Sequence, residues 1–137
     1  MKRIIILTLM LVFNFGFSQS KLEKNSPFLK NIKMEQKADV RSNDILNATI
    51  SWDYSRIDLT NKLVSIEVVT IYDCFNGEQA SDFKEQINVL SKENFSVKGS
   101  HQLIHKELLA KCFKWRAVVT TGADTKVSDW VYISFLN

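Results

Sequence analysis

The sequence has little of the residues that break regular structure: four Gly and one Pro in 137 residues, with only two Cys. That scarcity excludes collagen-like and low-complexity chains. No phosphate-cradling loop can be drawn, because Gly77, Gly99 and Gly122 stand far apart, and no Gly-x-Ser-x-Gly elbow occurs. An excess of one charge is also missing: 18 Lys and Arg face 15 Asp and Glu, with no dense basic run. The chain therefore lacks the electrostatic footprint expected of a nucleic-acid or anionic-membrane binder. What remains is 45% hydrophobic and 11% aromatic, a globular composition whose length leaves room for one domain.

Met1, Lys2 and Arg3 precede the apolar run Ile4–Phe13. Ten residues rise only about 15 Å as a helix, half of the roughly 30 Å hydrocarbon core, so the pattern is that of a signal peptide rather than a membrane span. Gly16 and Ser18 supply the small side chains that a signal peptidase accepts, which places cleavage between Ser18 and Gln19. The expectation is an exported protein, periplasmic or extracellular, with no stable membrane insertion after cleavage. No Cys lies near the cleavage site to carry a lipid anchor. Removing residues 1–18 leaves 137 − 18 = 119 residues and takes Lys2 and Arg3 with it, so 16 basic residues face 15 acidic ones.

From Gln19 to Asp44 the chain is polar, with sparse apolar residues at Leu22, Phe28, Leu29, Ile32 and Met34, and Pro27 interrupts it. Phe28, Leu29 and Ile32 fit a helical face, whereas Ile32 and Met34 fit strand alternation. Residues 19–26 read as a flexible lead and 27–38 as an edge strand, within a polar segment 19–43 that precedes the domain at 44–137.

A period of two then becomes clear. From Leu46 to Tyr54 every even residue is apolar and every odd one polar, the pattern of a strand with one face in a core. Leu63–Tyr72 places Val64, Ile66, Val68, Thr70 and Tyr72 on one face, and its other face also turns apolar at Val69 and Ile71, as in a central strand. Asn76-Gly77 marks a turn. Between Glu78 and Lys111 two or three short strands are expected, with Phe83, Ile87, Val89 and Leu90 in a strand or short helix. Phe95, Val97, Leu103, Ile104, Leu108 and Leu109 are expected in the core. Phe113–Val119 alternates with odd positions inward, Thr121–Lys126 reads as a turn, and Val127–Leu136 as one final strand.

These pieces resemble a fibronectin type III module. Ile50-Ser51-Trp52-Asp53 is similar to the strand B signature, Val64–Tyr72 to strand C, Phe113–Val119 to strand F, and Ser128-Asp129-Trp130 to the start of strand G. The resemblance spans residues 44–136 and implies an all-β, antiparallel two-sheet sandwich of about seven strands. The chain departs from the family at Phe113, where a tyrosine corner would place Tyr. It also departs in the longer stretch 78–111.

On that sandwich Cys74 ends strand C and Cys112 begins strand F, at the same end of the molecule. Parity opposes a direct cross-strand bond, because Cys74 is in phase with Val64 while Cys112 is out of phase with Phe113. A disulfide therefore needs Cys74 beyond the strand end or a bulge at Cys112; the other reading is two buried thiols.

No strong chemical motif occurs. His101 and His105, four apart, could join Cys112 in a metal site or a small Cys/His hydrolase, but no Glu follows His101 as a metalloprotease helix requires. Asp53 and Asp58 read as a solvated loop. Asn47-Ala48-Thr49 and Asn94-Phe95-Ser96 match the glycosylation sequon. Trp52 and Trp115 fall on inward positions, which leaves Trp130, with Tyr54, as the candidate glycan platform. The loops Ser55–Lys62 and Thr121–Lys126 emerge at one end of such a sandwich. They offer Arg56, Asp58, Lys62, Asp124 and Lys126, with Tyr54 at the edge, a mixture suited to a polar protein interface. The leading expectation is a non-enzymatic binding or structural domain that recognises a protein or glycan, without cofactor, metal or nucleic acid. A metal-dependent or Cys/His hydrolase is the alternative.

Overall fold

The structure, a computed structural model, describes residues 19–74 and 86–136. Residues 1–18, read from the sequence as a signal peptide, the expected Asn76-Gly77 turn and Phe83 lie outside the described residues.

The alternating stretch forms the expected strand. With β1 (Ser20–Lys21), helix α1 (Pro27–Lys30) and β2 (Ile32–Asp39) before it, β3 (Ser42–Asp53) pairs antiparallel with β2, Ile32 opposite Trp52 and Ala38 opposite Leu46. Its other edge takes β6 (Lys98–Leu103), Trp52 opposite Gly99. This three-stranded sheet turns Ala48, Ile50 and Trp52 inward and leaves Lys33, Glu35, Thr49, Ser51, Ser100 and Gln102 on its other face.

The second sheet has six strands. β4 (Lys62–Ile71) and β7 (Cys112–Thr121) pair antiparallel along their full lengths, from Lys62 opposite Thr121 to Ile71 opposite Cys112. β5 (Gln86–Leu90) flanks β4, while β8 (Asp124–Val127) and β9 (Val131–Ser134) both flank β7. β1 adds to β8 in parallel. The two sheets pack into an all-β sandwich whose core combines Ile50, Trp52 and Leu103 from one side with Val64, Ile66, Val68, Phe113, Trp115 and Ala117 from the other. Phe135 closes an edge of the sandwich, accepting from the Leu46 N–H at 2.7 Å and donating to the Lys111 carbonyl at 2.9 Å.

Several local expectations are corrected. The lead is structured: Leu22 is buried and donates its N–H to the Val127 carbonyl at 2.7 Å. Both patterns seen at 27–38 are realised in succession. Ser26 caps α1, with Pro27 at its first position, where a missing N–H costs nothing. Asn31 ends that turn and Ile32 and Met34 then alternate in β2. Tyr72 is not inward but 80% exposed, because β4 stops at Ile71. Val97 and Leu109 are exposed rather than core, Leu109 serving as the left-handed cap (φ 49°) of the one-turn helix α2 (His105–Leu108). The turn expected over Thr121–Lys126 shrinks to Gly122-Ala123, with Gly122 at φ +59°, since Thr121 already pairs Asp124.

The final strand is broken in two, and Ser128 is the reason. Its N–H donates to the Ala117 carbonyl at 2.9 Å and its Oγ accepts the Ala117 N–H at 3.0 Å, satisfying that stretch of β7 without a continuing strand. The kink delivers Trp130 to the outer face of the large sheet.

Candidate functional site

The two loops singled out in the sequence do share one end, because Lys62 at the start of β4 lies opposite Thr121 at the end of β7. Between that end and the N-terminal lead is a cleft of about 440 Å³. Leu22, Phe28 and Val119 line it, and around them stand Lys21, Glu23, Lys62, Asp124 and Lys126. Its size falls in the range of small-ligand or side-chain pockets, roughly 300–1,000 Å³.

The charges are held unequally. Lys21 pairs Asp129 at 2.9 Å, and Lys62 reaches Asp58 at 3.7 Å across one loop. Asp58 accepts the Thr60 N–H at 2.9 Å, and that bond, with the Thr60 side chain and Lys62, holds its carboxyl below the usual range. Lys126 and Asp124, two apart on the same side of β8, are exposed and have no polar partner among the described residues. With Glu23, likewise exposed and unpaired among the described residues, they are the groups available to an incoming partner. The loop that leads into Lys62 turns at Asn61, which sits at φ 57°, and Lys62 donates its N–H to the Leu59 carbonyl at 2.9 Å. At its start, the Ser55 hydroxyl and N–H and the Lys98 ammonium hold Asp53 far below the ordinary carboxylate range.

The predicted residues therefore separate into groups. Asp124 and Lys126 line the cleft, although as strand residues rather than a loop, and Asp58 acts on it through Lys62. Arg56 is exposed on the neighbouring loop and does not line the cleft. Tyr54 is corrected outright. It is fully buried, its ring 6.1 Å from that of Phe28 and its hydroxyl donating to the Phe28 carbonyl at 3.3 Å, so it cannot anchor a partner. Burial pushes its phenol above the ordinary value.

Trp130 lies away from the cleft. The Arg116 guanidinium stands 4.5 Å and the Lys114 ammonium 5.0 Å from its ring centre, and Arg116 also pairs Glu67. Protein cations thus occupy ring surface that a sugar would need. The indole packs on a small second cluster of Val69, Ile71 and Cys112.

Cys74 and Cys112 are joined by a disulfide, with Cα atoms 5.5 Å apart. The parity conflict is resolved by the first of the two routes: β4 ends at Ile71, Cys74 lies in the following turn, and the bond forms on the outer face. The Cys112 sulfur is buried and bonded, so no Cys/His nucleophile is assembled there. His101 lies on β6 opposite Ile50, while His105 opens α2 with its ring against Phe135 at 5.7 Å. Among the described residues no three His, Cys, Asp or Glu side chains converge as a metal site would need. The Asn47 side chain accepts the His105 N–H at 3.4 Å and the Asn94 side chain accepts the Ser91 N–H at 2.6 Å, so both sequon residues serve local structure.

Sequence reasoning missed the lead's share of the cleft, Lys21, Glu23 and Phe28. The signals were present in Leu22, an isolated apolar residue in a polar stretch, and in Ser26-Pro27, a helix start. Among the described residues no helix is long and apolar enough to cross a membrane. The chain matches no protein-family model, no curated protein and no solved structure, so the cleft is characterised by its own geometry alone.

Proposed function

We propose that the protein is an exported, non-enzymatic binding module of fibronectin type III-like design, and that it docks a polar protein segment at the cleft between the N-terminal lead and the β7–β8 hairpin. The strand order β2-β3-β6 against β8-β7-β4-β5 supports the family reading, since it corresponds to strands A-B-E against G-F-C-C′ of the resembled module. The charged start of the chain, with Gly16 and Ser18 before Gln19, supports export, and a disulfide is compatible with it.

The observation that carries the docking reading is the exposed, unpartnered pair Lys126 and Asp124 beside the apolar surfaces of Leu22 and Phe28. Charges of both signs next to an apolar lining suit a partner segment with one apolar anchor and flanking charges, rather than a phosphate. Export argues for a partner outside the cytoplasm.

The test is affinity purification from the envelope and medium of an exporting host, with wild type beside Lys126→Glu and Asp124→Lys. A partner retained by wild type and lost by both variants, at unchanged melting temperature, is the expected result. Equal retention by all three overturns the cleft as the site. Retention abolished by free sugar would make the protein a glycan binder instead.

A further inference from the structure

Signal cleavage after Ser18 would leave Gln19 as the first residue, and the fold treats that residue differently from its neighbours. Ser20 and Lys21 are held in the ladder opposite Lys126 and Val127, and Leu22 is buried with its N–H bonded to Val127. Gln19 lies one residue beyond the last pair. It is exposed, and its side-chain amide has no partner among the described residues.

We propose that Gln19 is a modification site, the mature chain being closed there as an N-terminal pyroglutamyl lactam; this rests on the export reading given above. The α-nitrogen attacks Cδ of the Gln19 carboxamide and forms the N–Cδ bond of a five-membered ring. The bond from Cδ to the amide nitrogen breaks, and that nitrogen leaves as ammonia with a proton from the α-amine. No oxidant or cofactor is consumed.

The surroundings favour the product. An α-ammonium at Gln19 would stand next to the strand position where Ser20 faces Lys126, a lysine without a counter-ion among the described residues. The lactam removes that charge and keeps one N–H donor. It also protects the element that follows. β1 is two residues long and Leu22 is its buried anchor, so an aminopeptidase removing a few residues would strip one wall of the cleft.

The test is intact mass and amine labelling of the N-terminal peptide, on protein isolated from an exporting host, beside Gln19→Ala. The expected wild-type mass begins at residue 19 and is lower by about 17 Da, one ammonia, with no labelled α-amine and no trimming by aminopeptidase. Gln19→Ala should be cleaved at the same bond, label fully and be trimmed. A wild-type chain beginning at Gln19 with a free α-amine overturns the lactam and leaves export standing. A chain that keeps residues 1–18, or begins elsewhere, overturns the export reading and the lactam with it.

Discussion

The two sheets are built on the same chemistry and differ in what covers their outer faces. In the three-stranded sheet the face turned away from the core carries Thr49, Ser51, Ser100 and Gln102. In the six-stranded sheet the corresponding face buries Val69, Ile71, Cys112 and Val118, and Cys74 and Trp130 pack on the first three of these. A strand wetted on one side needs strict alternation, whereas a strand covered on both sides can be apolar throughout. That is why β3 reads as a clean period of two and β4 does not.

Truncations on the inner face should be costly in both sheets. Trp52→Ala and Trp115→Ala, on opposite sheets and 6% and 7% exposed, are each expected to cost about 3–5 kcal/mol as core aromatic losses. Denaturant midpoints measure this. A near-neutral result in one sheet alone would show that its partner sheet, not the shared core, holds the fold together.

The outer faces should then diverge. Replacing Cys74 and Cys112 together by Ser opens a loop of 38 residues and should cost about 4 kcal/mol in the chain-entropy account. On the small sheet's outer face, Thr49→Ala should stay within about 0.5 kcal/mol. Equal effects would mean that the outer cluster contributes nothing beyond a surface.

A sharper probe sits at the small sheet's edge. A Cβ added at Gly99 would lie 2.6 Å from Cζ2 of Trp52, whose Nε1 is tied to the Ser96 carbonyl at 2.8 Å. Gly99→Ala should therefore force the indole aside and cost about 1–3 kcal/mol, by overpacking. Fluorescence of Trp52 in a Trp115→Phe, Trp130→Phe background would report the shift, and an unchanged spectrum would count against this packing.

The smallest effect is a pH dependence that separates the core from the exposed loop. The Tyr54 phenol is raised by burial, so its contribution is complete below the unfolded value of about 10 and is lost as pH climbs from there toward the folded value. Asp53 is lowered by Ser55 and Lys98, so its contribution is present above about 4 and is lost as pH falls below it. Tyr54→Phe should flatten the alkaline limb and leave the acid limb intact. Melting temperatures across pH give the result, and an alkaline limb unchanged by the substitution would place Tyr54 outside the core.

Local pattern alone established much of this protein. Alternation from Leu46 to Tyr54 and from Phe113 to Val119 specifies strand and facing together, because side chains on a strand repeat every two residues whatever the strand pairs with. The parity of Cys74 and Cys112 even defined the conditions for their bond. Tertiary structure decided everything that depends on where a strand stops or what lies across from it. Tyr72 follows the inward series yet points to solvent because β4 ends one residue before it. Tyr54, at the end of the Leu46–Tyr54 series and one residue beyond β3, is buried because Phe28, 26 residues earlier, folds back over it. Ser20 meets Lys126, and Lys21 meets Val127, only through a parallel pairing between segments from opposite ends of the described chain. Such contacts arise from long-range packing of sparse residues, and sparse residues carry no period for a sequence to display.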